Sequence, residues 1–169
     1  MDIDMKGNAG KNSRPVVRVL LAVTSSLIIT SCSDSLLKDD TKYLAAGDSV
    51  SIVRSFSIAE LQSHAIFQSG AVINKAELQP YLTNCILEVN DLGPTEYQPE
   101  QFTVTTINYH EEMYSDTGAV VRYFTEFRLV PAGDGKPALL RCQVLDDTMQ
   151  YHGFSLPEIR QALGPYFKI

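Results

Sequence analysis

Hydrophobic and polar residues alternate in short runs from residue 50 onward, and turn-forming residues separate these runs. Such a pattern, rich in β-branched and aromatic residues, is typical of β-strands. The last three long runs are joined by short turns and are expected to form an antiparallel meander. The predicted strands are residues 50–58, 64–68, 71–74, 85–90, 102–113, 119–130 and 138–146.

Local signals add detail to two of these strands and one connection. Ser69-Gly70 stands between two short apolar runs and predicts a tight hairpin, because glycine accepts the positive φ that such turns require. In the strand at 119–130, alternate positions share one face of the sheet. We predict that the following residues form its buried face: Val121, Tyr123, Phe127 and Leu129.

A helix is predicted near the C-terminus. Ser155 can cap its start, and Glu158, three residues later, completes a capping box. Phe154 can pack against Ile159 as a hydrophobic staple, and Gly164-Pro165 ends the helix. The predicted fold class is therefore α+β and mostly β, with an antiparallel sheet or small sandwich and one C-terminal helix.

The first 31 residues have the composition of a signal peptide. Four basic residues come before an apolar run at residues 19–29, and small residues follow it. This run is too short to cross a bilayer as a helix. We therefore expect residues 1–31 to direct export and to be removed.

The sequence Ile-Thr-Ser-Cys at residues 29–32 resembles the lipobox of bacterial lipoproteins. That resemblance implies cleavage before Cys32 and attachment of lipid to its thiol, while Ser33 implies transfer to the outer membrane. Ordinary secretory cleavage near residues 31–33, which would release a soluble periplasmic protein, is the alternative. In this interpretation residues 32–49 form a lipidated tether, and residues 50–169 form a single globular domain.

Cys85 and Cys142 are the remaining cysteines once Cys32 carries lipid. Both lie in predicted strands with apolar neighbours on the same face, so both thiols can point into one core. In an oxidising compartment such a pair normally forms a disulfide. A redox-active pair is the alternative, although the Cys-x-x-Cys spacing is absent.

The sequence offers few candidates for chemistry. His110, Glu112 and His152 could together bind a metal ion, but solvated charges near a turn explain the same residues. No recognised catalytic motif is present, so we predict that the protein is not an enzyme and uses no cofactor. The whole chain has a net charge of −6, and the segment after residue 31 is more acidic, which disfavours nucleic acid as a partner.

Three features resemble small uncharacterised envelope proteins of Gram-negative bacteria: Phe-Gln-Ser-Gly at residues 67–70, Tyr81 four residues before Cys85, and the second cysteine, Cys142. The resemblance implies the disulfide and the fold but no reaction. We expect an outer-membrane lipoprotein that faces the periplasm and acts as a non-enzymatic accessory or binding subunit of an envelope assembly. A small-molecule or glycan-binding module is the alternative, followed by a hydrolase.

Overall fold

The computed structural model describes residues 43–113, 120–147 and 153–169, and this part of the chain is mostly β. Its regular structure consists of ten strands, one α-helix, α1 at Leu156–Leu163, and two short 3₁₀ helices at Lys75–Glu77 and Gly164–Tyr166. The strands are β1 Ser49–Ile52, β2 Phe56–Ile58, β3 His64–Gln68, β4 Ala71–Ile73, β5 Asn84–Glu88, β6 Thr95–Tyr97, β7 Glu100–Met113, β8 Val121–Pro131, β9 Ala138–Asp146 and β10 Phe167–Lys168.

Eight of the strands form one antiparallel sheet in the order β10-β1-β7-β8-β9-β5-β3-β4, and β2 pairs with β6 in a separate two-stranded sheet. The predicted meander of three long strands is confirmed as β7, β8 and β9, which pair in sequence. The predicted α+β, mostly β fold class is therefore confirmed, with an antiparallel sheet and one C-terminal helix.

The core lies on one face of this sheet, where the alternation of the strands places their largest apolar side chains. All four residues predicted for the buried face of β8 are buried. Cys85 and Cys142 lie directly opposite each other on β5 and β9, and they form the predicted disulfide inside the core.

Helix α1 covers this core where β3 and β5 lie side by side. The carboxylate of Glu158 accepts hydrogen bonds from the backbone N–H of Ser155 at 2.8 Å and from its hydroxyl at 2.6 Å. Phe154 and Ile159 are both buried in the core. The predicted start of the helix is therefore confirmed, and the helix ends at Gly164 as expected.

The β3–β4 hairpin turns at Ser69 and Gly70, which both have positive φ, as predicted. The end of α1 lies directly against this turn, and the N–H of Gly70 donates to the carbonyl of Ala162 at 3.1 Å. A Cβ atom placed on Gly164 would lie only 2.3 Å from the Cα of Gly70. Glycine at position 164 therefore allows the two backbone segments to touch, while glycine at position 70 accepts the positive φ of the turn.

The predicted strand at 50–58 is wrong in one respect, because it is two strands that belong to different sheets. The ladder between β1 and β7 ends at Ile52, and the Val53 N–H still donates to the carbonyl of Tyr166, next to β10. The short strands β6 and β10 were not predicted. Leu44, placed in the tether by its sequence, is 2% exposed within the core, so the folded domain includes residues 43–49.

The predicted signal peptide, Cys32 and the first part of the predicted tether lie outside the described residues, as does His152. None of the described helices is long and apolar enough to cross a membrane.

Candidate interaction surface

Strand β7 is much longer than its neighbour β1, and one of its sides is therefore open. It pairs with β8 from Phe102 to Met113 but with β1 only over residues 100–103. Beyond Val104, which bonds to residues 47 and 48, no described residue pairs with this side of β7. We call residues 105–113 the β7 edge. Every second residue there directs its N–H and C=O away from β8, as in any antiparallel strand.

A β-bulge at Thr105 marks the point where the edge opens. The register between β7 and β8 shifts between Val104 and Thr106, and the Thr105 hydroxyl donates to the carbonyl of Arg128 at 3.2 Å. A bulge bends and twists its strand. The bulge therefore lies between the part of β7 that pairs with both β1 and β8 and the part that pairs with β8 alone among the described strands.

One face of the β7 edge carries apolar and aromatic side chains next to the core. Ile107 lies opposite the buried Phe127, and Tyr109 and Met113 follow on the same face. Tyr109 and Met113 are 61% and 60% exposed. The edge thus offers unpaired main-chain groups together with large exposed side chains, the combination that a docking strand can use.

Acidic side chains lie at the far end of the same face. Glu111 pairs in register with Tyr123 of β8, and Asp146 lies opposite Val121. Burial, with the carboxylates of Glu111 and Asp146 in support, raises the pKa of the Tyr123 phenol. Two carboxylates therefore lie close to Tyr123 at this end of the β7 edge.

The opposite face of the β7–β8 ribbon is organised around one phenyl ring. His110 stacks on Phe124 with ring centroids 4.6 Å apart, and the guanidinium groups of Arg122 and Arg141 lie 5.2 and 5.5 Å from the centre of the same ring. These three side chains leave Phe124 only 7% exposed. The burial of Phe124 on the polar face was not predicted. It depends on which residues of the neighbouring strands lie beside it, and the sequence does not show that register.

Ion pairs extend this cluster across neighbouring strands. Arg141 on β9 bonds to Glu126 on β8 at 2.8 Å and to Glu88 on β5 at 3.0 Å. Arg122 on β8 pairs with Glu112 on β7. Partly exposed pairs of this kind each contribute little stability, but the network fixes side-chain positions across four strands. The β7–β8 ribbon, which includes the β7 edge, is therefore stabilised on its polar face.

The sequence suggested a metal site at His110, Glu112 and His152. Here Glu112 pairs with Arg122, and the Nε2 atom of His110 lies 3.6 Å from a carboxylate oxygen of Glu126. Within the described residues, no group of three or more His, Cys, Asp or Glu side chains is placed to hold a metal ion. His152 falls outside those residues, so the structure does not show it near the other two.

A separate cleft of about 480 Å³ lies between residues 89–100 and 134–137. The Tyr97 hydroxyl donates to Glu100 at 3.2 Å, and the Tyr97 ring stacks on Phe56 with centroids 5.5 Å apart. Burial, reinforced by the Glu100 carboxylate, raises the pKa of Tyr97. Lys136 pairs with Asp91 at 2.6 Å, so polar groups in this cleft already bind one another.

Comparison with known proteins gives no relative: no family model, no curated protein and no solved structure matches the chain significantly. The candidate surface therefore depends on its geometry alone.

Proposed function

We propose that this protein is a lipid-anchored envelope protein, not an enzyme, whose domain binds an extended protein segment along the β7 edge. The observation that carries this proposal is the open side of residues 105–113, where the bulge residue Thr105 is followed by eight consecutive residues that pair with β8 alone among the described residues. An unpaired edge is a template for one further strand.

Strand addition would use two kinds of interaction. The main-chain groups of the β7 edge supply hydrogen bonds regardless of the partner's sequence, and the alternating side chains supply specificity. Ile107, Tyr109 and Met113 offer apolar contact on one face, while Asn108 and His110 offer polar contact on the other. The aromatic and ionic cluster around Phe124 supports the strand from the polar side, so little ordering is needed on binding.

The anchor part of the proposal is supported by the N-terminal sequence. The apolar run, the small residues and Cys32 resemble a lipoprotein signal. Two or more acyl chains hold a protein on a membrane stably, since each buried methylene contributes ~0.8 kcal/mol. The expected intact mass of the membrane-extracted protein is that of a chain beginning at a lipid-modified Cys32. An unmodified Cys32 would refute the anchor, and a Cys32→Ser variant is the control.

Photo-cross-linking in intact cells tests the binding part. A benzoylphenylalanine residue introduced at position 109 should form an adduct with a protein that touches the β7 edge. Position 81 provides a matched control, because Tyr81 is also 61% exposed but lies outside β7. The proposal fails if positions 109 and 81 give the same set of adducts.

The cleft at Tyr97 supports a second candidate function, small-molecule or glycan binding. Its volume falls within the range of typical ligand sites. Calorimetric titration with a panel of oligosaccharides tests this candidate. Binding that is lost in a Tyr97→Ala variant would support it, and no heat of binding across the panel would count against it.

A further inference from the structure

We infer that a separate, smaller pocket binds the carboxylate group of a small ligand. The pocket has a volume of about 250 Å³ and lies where β8 begins and β9 ends, beside residues 75–80. Its lining includes no residue of β7 and none of the cleft at Tyr97. The inference therefore goes beyond strand binding and does not depend on it.

One wall of the pocket is a loop that is bonded to the sheet at several points. The buried Gln68 amide donates to the carbonyls of Gln79 at 2.8 Å and Leu82 at 3.0 Å. The side-chain oxygen of Gln68 accepts from the Gln79 N–H at 3.0 Å. The Leu145 N–H of β9 donates to the carbonyl of Pro80 at 2.8 Å. These bonds hold the loop in place without a ligand, so the pocket is largely preformed, as ligand sites usually are.

Two amide side chains from neighbouring strands also line the pocket. Asn84 on β5 is only 1% exposed, and its side-chain oxygen accepts from the Gln143 amide of β9 at 3.1 Å. The Asn84 amide donates in turn to the carbonyls of Leu82 and Gln143, both at 3.3 Å. Both side chains are therefore fixed by bonds within the protein.

The charged side chains that line the pocket are both basic, although the chain as a whole has a net charge of −6. Lys75 makes no ion pair with any described residue. Arg122 pairs with Glu112, which compensates its charge. One uncompensated positive charge thus borders the pocket. It matches a singly charged carboxylate better than a phosphate group, which carries nearly two charges at neutral pH.

Arg122 also provides a hydrogen-bond donor without an acceptor. Its Nε atom is buried, and the Nε–H has no partner within the part of the chain that the structure describes. Buried donors are normally paired, and an unpaired one is costly. A carboxylate oxygen beside Nε would accept this bond while the second oxygen accepts from Lys75, and bonds between charged groups are among the strongest. Side-chain rotations of the kind that often accompany binding would open the way to this covered atom.

Apolar side chains beside the basic pair determine the rest of the ligand. Leu78 and Pro80 line the pocket from the loop, and Leu145 lines it from β9. The volume of about 250 Å³ equals that of about eight water molecules, at ~30 Å³ each, so the ligand is small. The geometry therefore favours a monocarboxylate with a short aliphatic or aromatic group.

Titration of the purified full-length protein with benzoate tests the site, in non-ionic detergent and a buffer free of carboxylate and phosphate. Saturation-transfer NMR of the ligand and calorimetry should both detect binding. Benzamide has the same shape without the charge and should bind about tenfold or more weakly. Inorganic phosphate, which cannot use the apolar walls, should also bind more weakly than benzoate.

Two variants locate the binding. Lys75→Met removes the unpaired charge from an exposed side chain and should weaken benzoate binding about tenfold. Lys168→Met is the matched control, because it removes an equally unpaired, exposed lysine from β10 and should leave the affinity unchanged. Arg122→Lys keeps a cation beside Glu112 but removes the Nε–H, and it should also weaken binding. Should this variant fail to fold, Lys75→Met decides alone.

Four results would overturn the inference. They are no binding of benzoate at millimolar concentration, equal binding of benzoate and benzamide, phosphate binding as tight as that of benzoate, and equal affinities of the Lys75→Met and Lys168→Met variants. None of these results bears on strand binding at the β7 edge, which the cross-linking at position 109 tests separately.

Discussion

Removing the Cys85–Cys142 disulfide should lower the stability of the domain more than any single surface change. The two cysteines are 57 residues apart in sequence, so the bond closes a long loop in the unfolded chain. In the chain-entropy model, a loop of this length contributes about 4 kcal/mol. The free energy of unfolding of a small domain is only about 5–15 kcal/mol, so the reduced protein should be marginally stable.

Reduction is a cleaner perturbation than mutation, because it leaves both side chains in the core. Cys85 and Cys142 are fully buried, so reductant should act only when added together with denaturant. Urea unfolding of the oxidised and the reduced full-length protein can be followed by tyrosine fluorescence, since the chain has eight tyrosines and no tryptophan. The oxidised form should also have a smaller m value, because its unfolded chain exposes less surface.

The control is a free-thiol assay, which should find neither cysteine reactive in the oxidised protein unfolded without reductant. Free energies of unfolding that agree within about 1 kcal/mol would contradict the loop-entropy argument. Two reactive thiols in the oxidised protein would contradict the bond itself.

Two further predictions follow from the packing. Gly164→Ala should destabilise the domain by at least about 2 kcal/mol in thermal unfolding, because the new Cβ would lie 2.3 Å from the Cα of Gly70 in a backbone conformation at φ +56. Gly133→Ala is its matched control, since no atom lies within 4 Å of the new Cβ, and it should change stability by less than about 0.5 kcal/mol. The Tyr97 phenol should ionise at higher pH than free tyrosine, because its folded-state pKa is raised. Its contribution to stability is complete below pH ~10 and should decline as the pH rises above that value, and Tyr97→Phe should remove this part of the decline in alkaline unfolding curves.

Local patterns sufficed to predict most of the fold. Alternation identified the three long strands and the buried face of β8, and the Ser155 and Glu158 spacing identified the start of α1. The pairing of Cys85 with Cys142 followed from their number and from their places in strands. Each of these features depends on neighbours in sequence or on a single pair of residues, so the sequence alone contains the required information.

The candidate surface could not be predicted in the same way. The open side of β7 exists because β1 pairs with only four of its residues, and pairing extent is a property of two distant segments. The burial of Phe124 likewise requires the register that brings His110 and Arg141 onto its ring. The split of the predicted strand after Ile52 likewise reflects distant pairing, because β1 pairs with β7 and β10 while β2 pairs with β6.

The late position of α1 and β10 in the sequence has a consequence for the order in which the domain can assemble. Without α1, the apolar face of β3 and β5 would be exposed to water, and without β10, β1 would lose one of its two partners. The core therefore cannot be completed until residues 156–168 are available. A chain truncated before residue 156 should therefore expose this apolar surface instead of completing the fold.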